Sequence, residues 1–249
     1  RTREGREIRK AFIPSGQDNI LLSADYSQIE LRIIAELSKD KNMVEAFQLG
    51  HDIHTATASK VYGVAIEEVT PDQRRNAKTV NFSIIYGAGS LNLSRQLGIK
   101  RTEAKEIIDQ YFLQFNGLKS YMDRMVHEAH EKGYVTTLMG RRRYLRDINS
   151  RNAMARSAAE RIAVNSPIQG TAADMIKVAM IGINESFKQA GLSSKMILQV
   201  HDELVFDVKK SELDTVRAIV IDKMKNAIPN LSVPIEVSTG TGANWLEAH

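Results

Sequence analysis

Two apolar segments that lie far apart in the chain each lead into an acidic turn. The segment NILLSAD ends at Asp25, and MILQV is followed by the turn that contains Asp202. Short apolar runs bounded by polar turns are typical of buried strands. If the two strands pair in one sheet, both carboxylates lie at the same edge of that sheet. Carboxylates from separate segments can hold a pair of Mg²⁺ ions, which is the arrangement that metal-assisted phosphoryl chemistry uses.

Helical patterns fill most of the chain between these strands. From about Asn42 to Glu160, apolar residues recur largely at helical spacing. The segment YVTTLMGRRRYL is predicted to be a short hairpin that turns at Gly140. The helix that follows, over Asn152–Gln189, is predicted to break or kink near Pro167, because proline removes a helix hydrogen bond and clashes with the preceding turn.

The last part of the chain is predicted to contain three strands, of which the first is the segment MILQV described above. They are MILQV, ELVFDVK and PIEVSTG, with a helix from about Ser211 to Ile228 between the second and the third. The sequence contains no internal repeat and no low-complexity linker. This order of elements predicts an α+β fold, in which a small antiparallel sheet with packed helices is split in sequence by an all-helical subdomain.

Composition narrows the class of protein without identifying a partner. The 249 residues are 43% hydrophobic, which is enough for a packed core, and the net charge of +4 permits a polyanionic ligand. The chain has no cysteine, so disulfides and thiolate metal sites are excluded. No apolar stretch approaches the ~20 residues that span a bilayer, so we expect a cytoplasmic protein without a membrane partner.

A third segment, QRRNAKTVNFSIIYG, carries two cations and then two aromatic rings at intervals of four residues. This spacing places them on one slowly drifting face of a helix. Cationic side chains can bind a triphosphate, and aromatic rings can stack on a base. The four residues are Arg74, Lys78, Phe82 and Tyr86. Taken without the rest of the sequence, cations at this spacing are more typical of a solvated surface, and the two rings are more typical of a core.

The three segments together resemble the bacterial members of the family A DNA polymerases. DYSQIELR is similar to motif A of that family, RRNAKTVNFSIIYG to motif B and VHDE to motif C, in the family's order and at about its spacing. The resemblance extends over the whole chain. It implies a DNA-directed DNA polymerase that adds deoxynucleoside triphosphates to a primer 3′ hydroxyl on a DNA template and releases pyrophosphate, in DNA replication and repair.

The resemblance also implies a domain organisation. Residues 1–40 and 161–249 are expected to form the two parts of a palm, and residues 41–160 the helical fingers, with the motif B helix at about 72–86. The chain begins without Met, so we expect a fragment that lacks the thumb, the first part of the palm and any exonuclease domain. The sequence leaves open whether such a fragment catalyses DNA synthesis on its own. It shows no sign of an obligate protein partner. In its parent protein it is expected at the bacterial nucleoid.

The family resemblance assigns the metal site to the acidic turns. Asp25 and Asp202 are expected to bridge two Mg²⁺ ions, with Mn²⁺ as an alternative, and the main-chain carbonyl of Tyr26 is expected to be a further ligand. Glu203 is expected to lie near the ions without ligating them. The structural alternative is that each aspartate only caps a turn or a helix.

The resemblance assigns a second group of residues to the incoming nucleotide. Arg74 and Lys78 are expected to contact the triphosphate, with Lys78 also acting in catalysis by protonating or stabilising the leaving pyrophosphate. Glu30 is expected to lie against the sugar 2′ carbon and to exclude a 2′ hydroxyl. The full set of expected nucleotide-site residues is Gln28, Glu30, His54, Arg74, Lys78, Phe82 and Tyr86.

A third group is expected to contact the primer–template. Arg161, Asn165 and Gln169 recur every fourth residue and can reach the N3 and O2 acceptors that all correct base pairs present in the minor groove. Capping and helix packing are the structural alternatives for these three. Arg32, and His201 near the primer terminus, complete the DNA contacts, and Gln28 belongs to the same neighbourhood. For the run Arg141–Arg143, a solvated turn is the favoured interpretation.

Three other functions remain as alternatives. Single-subunit phage-type RNA polymerases share the two aspartates and the cationic helix, although Glu30 and Phe82 argue against them. A binding module would hold nucleotide or DNA without turnover, and would be recognised by binding without primer extension. A two-metal nuclease needs the carboxylates but none of motif B.

Overall fold

The computed structural model describes residues 3–249, so the first two residues of the predicted 1–40 segment lie outside the described part. The strands are β1 (Asn19–Tyr26), β2 (Tyr134–Thr136), β3 (Arg142–Tyr144), β4 (Lys195–Val200), β5 (Glu203–Lys209) and β6 (Val237–Gly242). The helices are α1 (Arg3–Glu7), α2 (Ile29–Ser38), α3 (Lys41–Gln48), α4 (Ile53–Tyr62), α5 (Pro71–Ile85), α6 (Ser90–Leu97), α7 (Arg101–Gln114), α8 (Asn116–Lys132), α9 (Ala153–Gln189), α10 (Leu213–Lys225) and α11 (Trp245–Ala248).

The chain divides into two compact units. The first comprises the residues up to Ile29 together with Ala172–His249, and the second comprises Glu30–Thr171. A unit formed from two separated stretches of chain, interrupted by a largely helical one, is the α+β organisation that the sequence predicts. The predicted palm and fingers boundaries, at 40/41 and 160/161, remain a prediction.

The first unit contains a four-stranded antiparallel sheet in the order β4-β5-β1-β6. The central pair, β1 and β5, is in register from Asn19 opposite Lys209 to Asp25 opposite Glu203. The predicted strand PIEVSTG starts at Pro234, whereas β6 begins three residues later, at Val237. Proline has no N–H to donate to a strand ladder, which accounts for the later start.

One face of this sheet is covered by the last helix. Leu21 of β1 and Val205 of β5 are fully buried and form a core cluster with Trp245 and Ala248 of α11. Burial of each large apolar side chain contributes roughly 1.5–3 kcal/mol, so this cluster ties α11 to the strands that carry the acidic turns.

The second unit consists of packed helices and a small hairpin. The hairpin pairs β2 with β3, and Tyr134 lies opposite Tyr144, as expected for a turn near Gly140. Val135 and Leu145 pack with Ala129 of α8 and Ala163 of α9, so the hairpin is anchored to both helices.

The predicted break in the long helix at Pro167 is wrong, while a kink there stays a prediction. α9 runs without a break from Ala153 to Gln189, with Pro167 in its interior. Proline at an interior position removes one backbone hydrogen bond, at a cost of about 3 kcal/mol or more. Ala163, Val164 and Ile168 on either side are buried, and packing of this apolar stripe offsets that local cost. Among the described residues, no helix is long and apolar enough to cross a membrane.

Candidate active site

The two acidic turns meet at one end of the sheet in the first unit. β1 and β5 are hydrogen-bonded neighbours, and Asp25 lies opposite Glu203, the residue after Asp202. The predicted direct pairing of NILLSAD with MILQV is wrong, because MILQV forms β4 and β5 lies between it and β1. The backbone N–H of Tyr26 donates to the main-chain carbonyl of Asp202 over 3.3 Å, which fixes the two turns together. Both aspartates are partly buried. The pairing therefore brings the two carboxylate-bearing segments to the same edge of the sheet.

The donor groups at this edge fit a hard divalent cation. Carboxylate and main-chain carbonyl oxygens are the ligands that Mg²⁺ prefers, and Mg²⁺ keeps several non-protein oxygen ligands. Within residues 3–249, no cluster of three or more His, Cys, Asp or Glu side chains is arranged to hold a metal ion. A metal bound by Asp25 and Asp202 would thus need further oxygens from the main chain, water or a phosphate.

The neighbouring Glu203 is occupied by contacts inside the first unit. Its side chain is buried, and Oε1 accepts hydrogen bonds from Ser23 Oγ and from Trp245 Nε1, both at 2.7 Å. His249 Nδ1 lies 3.2 Å from the same oxygen. These donors hold Glu203 beside the acidic turn and account for its burial.

Three other predicted site residues lie around the same turns. The Tyr26 ring is buried, its hydroxyl donates to the carbonyl of Met224 at 2.8 Å, and burial raises its pKa. Gln28 and His201 both adopt left-handed backbone conformations, with φ of 54° and 56°. His201 is exposed at the tight connection between β4 and β5, so its ring is available to a ligand of the turn.

In the second unit, local sequence signals fix the start of α5. Thr70 caps the helix by accepting from Gln73 N–H at 3.2 Å, while the Gln73 side chain accepts from Thr70 N–H at 2.9 Å. Pro71 follows at the first helical position, where its missing N–H has no cost. This start sets the phase of the helix that carries the predicted nucleotide-site residues.

Arg74 is held by an aspartate that the sequence analysis did not identify. Its Nε and Nη2 both lie 2.8 Å from Oδ2 of Asp52. Asp52 also caps α4 by accepting from His54 N–H at 3.2 Å. Burial pushes the pKa of Asp52 upward, but the hydrogen bond and charge of Arg74 outweigh it, so the pKa lies below its usual value. Lys78, one turn further along α5, is exposed.

His54 is buried beneath the aromatic part of α5. Its Nδ1 lies 3.1 Å from Nδ2 of Asn81, and its ring centroid lies 5.8 Å from that of Phe82. Burial lowers the pKa of His54 to about 4, against the opposing charge of Asp52 and with a further contribution from Arg74 and Lys78. The imidazole is therefore neutral at physiological pH.

The two predicted aromatic residues stack, and the second is linked to two other predicted site residues. The Phe82 and Tyr86 rings are nearly parallel, with centroids 6.3 Å apart. The Tyr86 hydroxyl donates to Glu30 Oε2 and is also within hydrogen-bond reach of Gln169. Burial, together with Glu30, raises the pKa of Tyr86 to about 12, so the phenol stays protonated. The structure thus joins Glu30, Tyr86 and Gln169, which the sequence placed in separate motifs.

A groove of about 770 Å³ in the second unit is lined by arginines and amides. Arg161, Asn165 and Gln169 line it from successive turns of α9, as their spacing predicts. The run Arg141–Arg143 is exposed, but Arg142 and Arg143 belong to β3 and not to the predicted solvated turn, and the run also lines this groove. A concentration of guanidinium groups of this kind suits a phosphate backbone.

Arg32 lies apart from this groove lining. It is 9% exposed, and its guanidinium carbon lies 4.6 Å from the centroid of the Phe47 ring. A guanidinium over a ring is stabilised by cation–π attraction. Its predicted contact with DNA stays a prediction.

Sequence reasoning missed three residues that hold the predicted ones in place, namely Asp52, Asn81 and Trp245. Asp52 precedes a helix in HDIHT, and an aspartate at that position is a recognisable N-cap signal. Asn81 and Trp245 carry no comparable local signal, because their partners come from other elements of the fold.

Comparison with known proteins agrees with this architecture. The chain belongs to DNA polymerase family A, whose sequence model matches residues 1–247. It is 53% identical over 249 residues to the DNA polymerase I of Streptococcus pneumoniae serotype 4 (strain ATCC BAA-334 / TIGR4), covering all of this chain and 28% of that protein. It is 50% identical over 248 residues to the DNA polymerase I of Bacillus subtilis (strain 168), with the same coverage.

A solved structure has the same fold. The POL domain of Pol1 from M. smegmatis, in complex with DNA primer-template and dNTP, matches with a TM-score of 0.95 and 47% identity. The match covers 100% of this chain and 44% of that one. The chain therefore spans between about a quarter and a half of the length of these relatives.

Proposed function

We propose that the protein carries out template-directed DNA synthesis by nucleotidyl transfer, adding deoxynucleoside triphosphates to a primer 3′ hydroxyl with release of pyrophosphate. The observation that carries the proposal is the antiparallel pairing of β1 with β5, which brings the segments of Asp25 and Asp202 to one sheet edge in a family A chain. The M. smegmatis relative was solved with primer-template and dNTP, which supports these substrates. Because the substrate is DNA, the site of action is the bacterial nucleoid.

Asp25, Asp202 and the main-chain carbonyl of Tyr26 are the proposed ligands of two Mg²⁺ ions, with Mn²⁺ as a substitute. When bound, such ions lower the pKa of an attacking hydroxyl and neutralise charge on the phosphates. The protein's part is to hold the ligand oxygens on paired strands, so that little reorganisation accompanies the reaction.

Arg74 and Lys78 are the proposed triphosphate contacts. Asp52 engages Nε and Nη2 of Arg74, which leaves Nη1 and the second Nη2 hydrogen as donors for phosphate oxygens. Fixing the guanidinium in advance reduces the entropy lost when the nucleotide binds. Lys78 is exposed and adds a mobile point charge that stabilises or protonates the leaving pyrophosphate.

Glu30 and Tyr86 are the proposed selectors of the sugar. Tyr86 donates to Glu30 and so orients the carboxylate. A carboxylate at the 2′ carbon leaves no room for a ribose hydroxyl. Phe82, stacked on Tyr86, is the proposed platform for the nascent base pair.

The remaining residues are proposed to contact the primer–template. The groove lined by Arg161, Asn165 and Gln169 supplies cations and amides on one helix face. We assign His201 to the primer terminus, and Gln28 and Arg32 to the DNA beside the nucleotide site. In this proposal residues 1–40 and 161–249 are the palm and residues 41–160 the fingers.

Primer extension at low salt with Mg²⁺ and four deoxynucleotides tests the proposal. Asp25→Ala and Asp202→Ala are expected to lower the rate by about a thousandfold, since each removes a ligand of ions that stabilise the transition state by several kcal/mol. Asp109→Ala, at an exposed position on α7, is the matched control. If the chain alone is inactive, the same variants are compared in a polypeptide extended to the full length of the relatives.

Retention of full extension by either carboxylate variant would contradict the assignment. Binding of dNTP without extension by the full-length polypeptide would favour a binding module instead. Preferential use of ribonucleotides by the unaltered protein would favour an RNA polymerase.

A further inference from the structure

A buried polar cluster in the second unit links α4, α5 and α7 behind the His54 ring. Asn81 is fully buried, and its Nδ2 lies 3.0 Å from Thr57 Oγ1 and 3.1 Å from His54 Nδ1. Its Oδ1 lies 3.0 Å from the Tyr111 hydroxyl and 3.2 Å from Thr57 Oγ1. Both ends of the amide therefore have partners, and the cluster satisfies groups that would each be costly to bury alone.

The Tyr111 hydroxyl determines which way round the Asn81 amide sits. Tyr111 is completely buried, and burial raises its pKa, so its hydroxyl keeps a proton that needs an acceptor. Asn81 Oδ1 is the acceptor, because an amide NH₂ in that place can only donate and would leave the hydroxyl proton without this acceptor. The NH₂ group consequently faces His54.

The orientation of this amide fixes the tautomer of His54. An NH₂ group can only donate, so Nδ1 of the imidazole must accept and cannot carry a proton. The single proton of a neutral ring is then on Nε2. The depressed pKa of His54, which burial lowers to about 4, agrees with a ring that stays neutral.

We propose that Asn81 is a positioning residue, which holds His54 as the Nε2–H tautomer and so gives the incoming triphosphate a neutral hydrogen-bond donor of fixed orientation. This inference rests on the proposed function, because a nucleotide must bind for the donor to matter. A neutral donor avoids adding a third positive charge near Arg74 and Lys78 when no nucleotide is bound. The chain from Tyr111 through Asn81 to His54 thus sets the chemistry of the ring from within the core.

Nitrogen-15 NMR of the histidine rings tests the tautomer directly. The chain has six histidines, and the His54 signals are assigned by their loss in His54→Gln. We expect Nδ1 to show the unprotonated shift and Nε2 the protonated one at neutral pH. Asn81→Asp replaces the donor with an acceptor, so the proton should move to Nδ1. Tyr111→Phe removes one hydroxyl with little change in volume, and should give a mixture of tautomers.

Binding and turnover of dATP provide the second measurement. Loss of the oriented donor weakens a hydrogen bond to a charged phosphate, so KM for dATP should rise about tenfold in Asn81→Asp with a smaller change in kcat. Asn116→Asp, the same change at an exposed position on α8, is the control and should leave KM unchanged. Tyr111→Phe should raise KM by a smaller factor. It provides the same test if Asn81→Asp fails to fold.

The possible results separate this inference from the proposed function. A protonated Nδ1 in the unaltered protein would overturn the inference, whatever the polymerase activity. An unchanged KM in variants whose tautomer has switched would also overturn it. If no variant extends a primer, dATP is titrated into the unaltered protein instead: a shift of Nε2 supports the inference, and no shift rejects it.

Discussion

The indole N–H of Trp245 donates a 2.7 Å hydrogen bond to Oε1 of Glu203, the residue that follows Asp202. Two neighbours hold Trp245 in place. The guanidinium carbon of Arg9 lies 4.5 Å from the centroid of the Trp245 ring, and the Phe12 ring makes an edge contact with it. The last helix therefore supports the acidic turn from behind, and the position of the Asp202 segment depends on residues from both ends of the first unit.

Replacing Trp245 should weaken this support. Trp245→Phe keeps an aromatic ring in the core but removes the donor to a buried carboxylate, so we expect a loss of about 1.5–3 kcal/mol in the free energy of unfolding. Urea denaturation followed by circular dichroism measures it. Ser23→Ala, which removes another donor to Glu203, should have a similar effect. An unchanged midpoint in both variants would show that Glu203 needs neither bond.

Removing the charge of Asp52 should impair nucleotide binding rather than folding. In Asp52→Asn, Arg74 loses its anionic partner and becomes mobile, so KM for dNTP should rise several-fold, in line with about 1 kcal/mol for a partly exposed pair. Steady-state primer extension measures this. Asp72→Asn breaks the exposed pair with Arg75 on the same helix and should leave KM unchanged. Equal effects of the two substitutions would refute a specific role for Asp52.

The buried neutral His54 should make the protein sensitive to acid. Its pKa is lowered from 6.5 to about 4 in the folded state, so the unfolded chain binds the proton more readily between these values. Its contribution to stability is fully present above pH 6.5 and is lost as the pH falls toward 4. Denaturation midpoints measured over this window should fall less steeply in His54→Gln than in the unaltered protein. If the midpoint falls equally steeply with pH in both proteins, the lowered pKa of His54 is contradicted.

Phe82 lacks the hydroxyl with which a tyrosine ring could replace a missing sugar 3′ hydroxyl. We expect poor incorporation of dideoxynucleotides by the unaltered protein and better incorporation by Phe82→Tyr. The ring already stacks on Tyr86, so the added hydroxyl should not disturb the packing. Competition between dideoxy- and deoxynucleotides in primer extension gives the ratio. An equal ratio of dideoxy- to deoxynucleotide incorporation in the unaltered protein and in Phe82→Tyr would contradict this role of the Phe82 ring.

Gly87 should be intolerant of any side chain. It has a φ of 77°, and a Cβ atom would lie 2.7 Å from Cγ of Arg161. Gly87→Ala should cost about 1–2 kcal/mol for the backbone conformation and should also displace Arg161, which weakens primer–template binding. Gly140→Ala is the matched control, since φ is 79° but no atom lies within 4 Å of the added carbon. DNA affinity measured by fluorescence anisotropy should fall only in Gly87→Ala.

Much of the architecture can be predicted from the sequence because it depends on local patterns. The apolar runs before Asp25 and after Asp202 define β1 and β5, and the spacing of apolar residues defines the helices. Thr70 and Pro71 determine where α5 begins, and hence which face carries the cations and rings. The family motifs add the roles that we propose for those residues.

The contacts that hold these residues in place were decided by tertiary structure. Arg74 pairs with Asp52, 22 residues away, and Trp245 reaches Glu203 across 42 residues. Tertiary packing also decided that α9 continues through Pro167, because burial of the neighbouring apolar side chains outweighs the tendency of proline to end a helix. Periodicity specifies which face of an element is apolar, but not which polar group on another element will meet it. By itself the sequence therefore determined the elements and the likeness to a family, while packing alone chose the partners that orient the site.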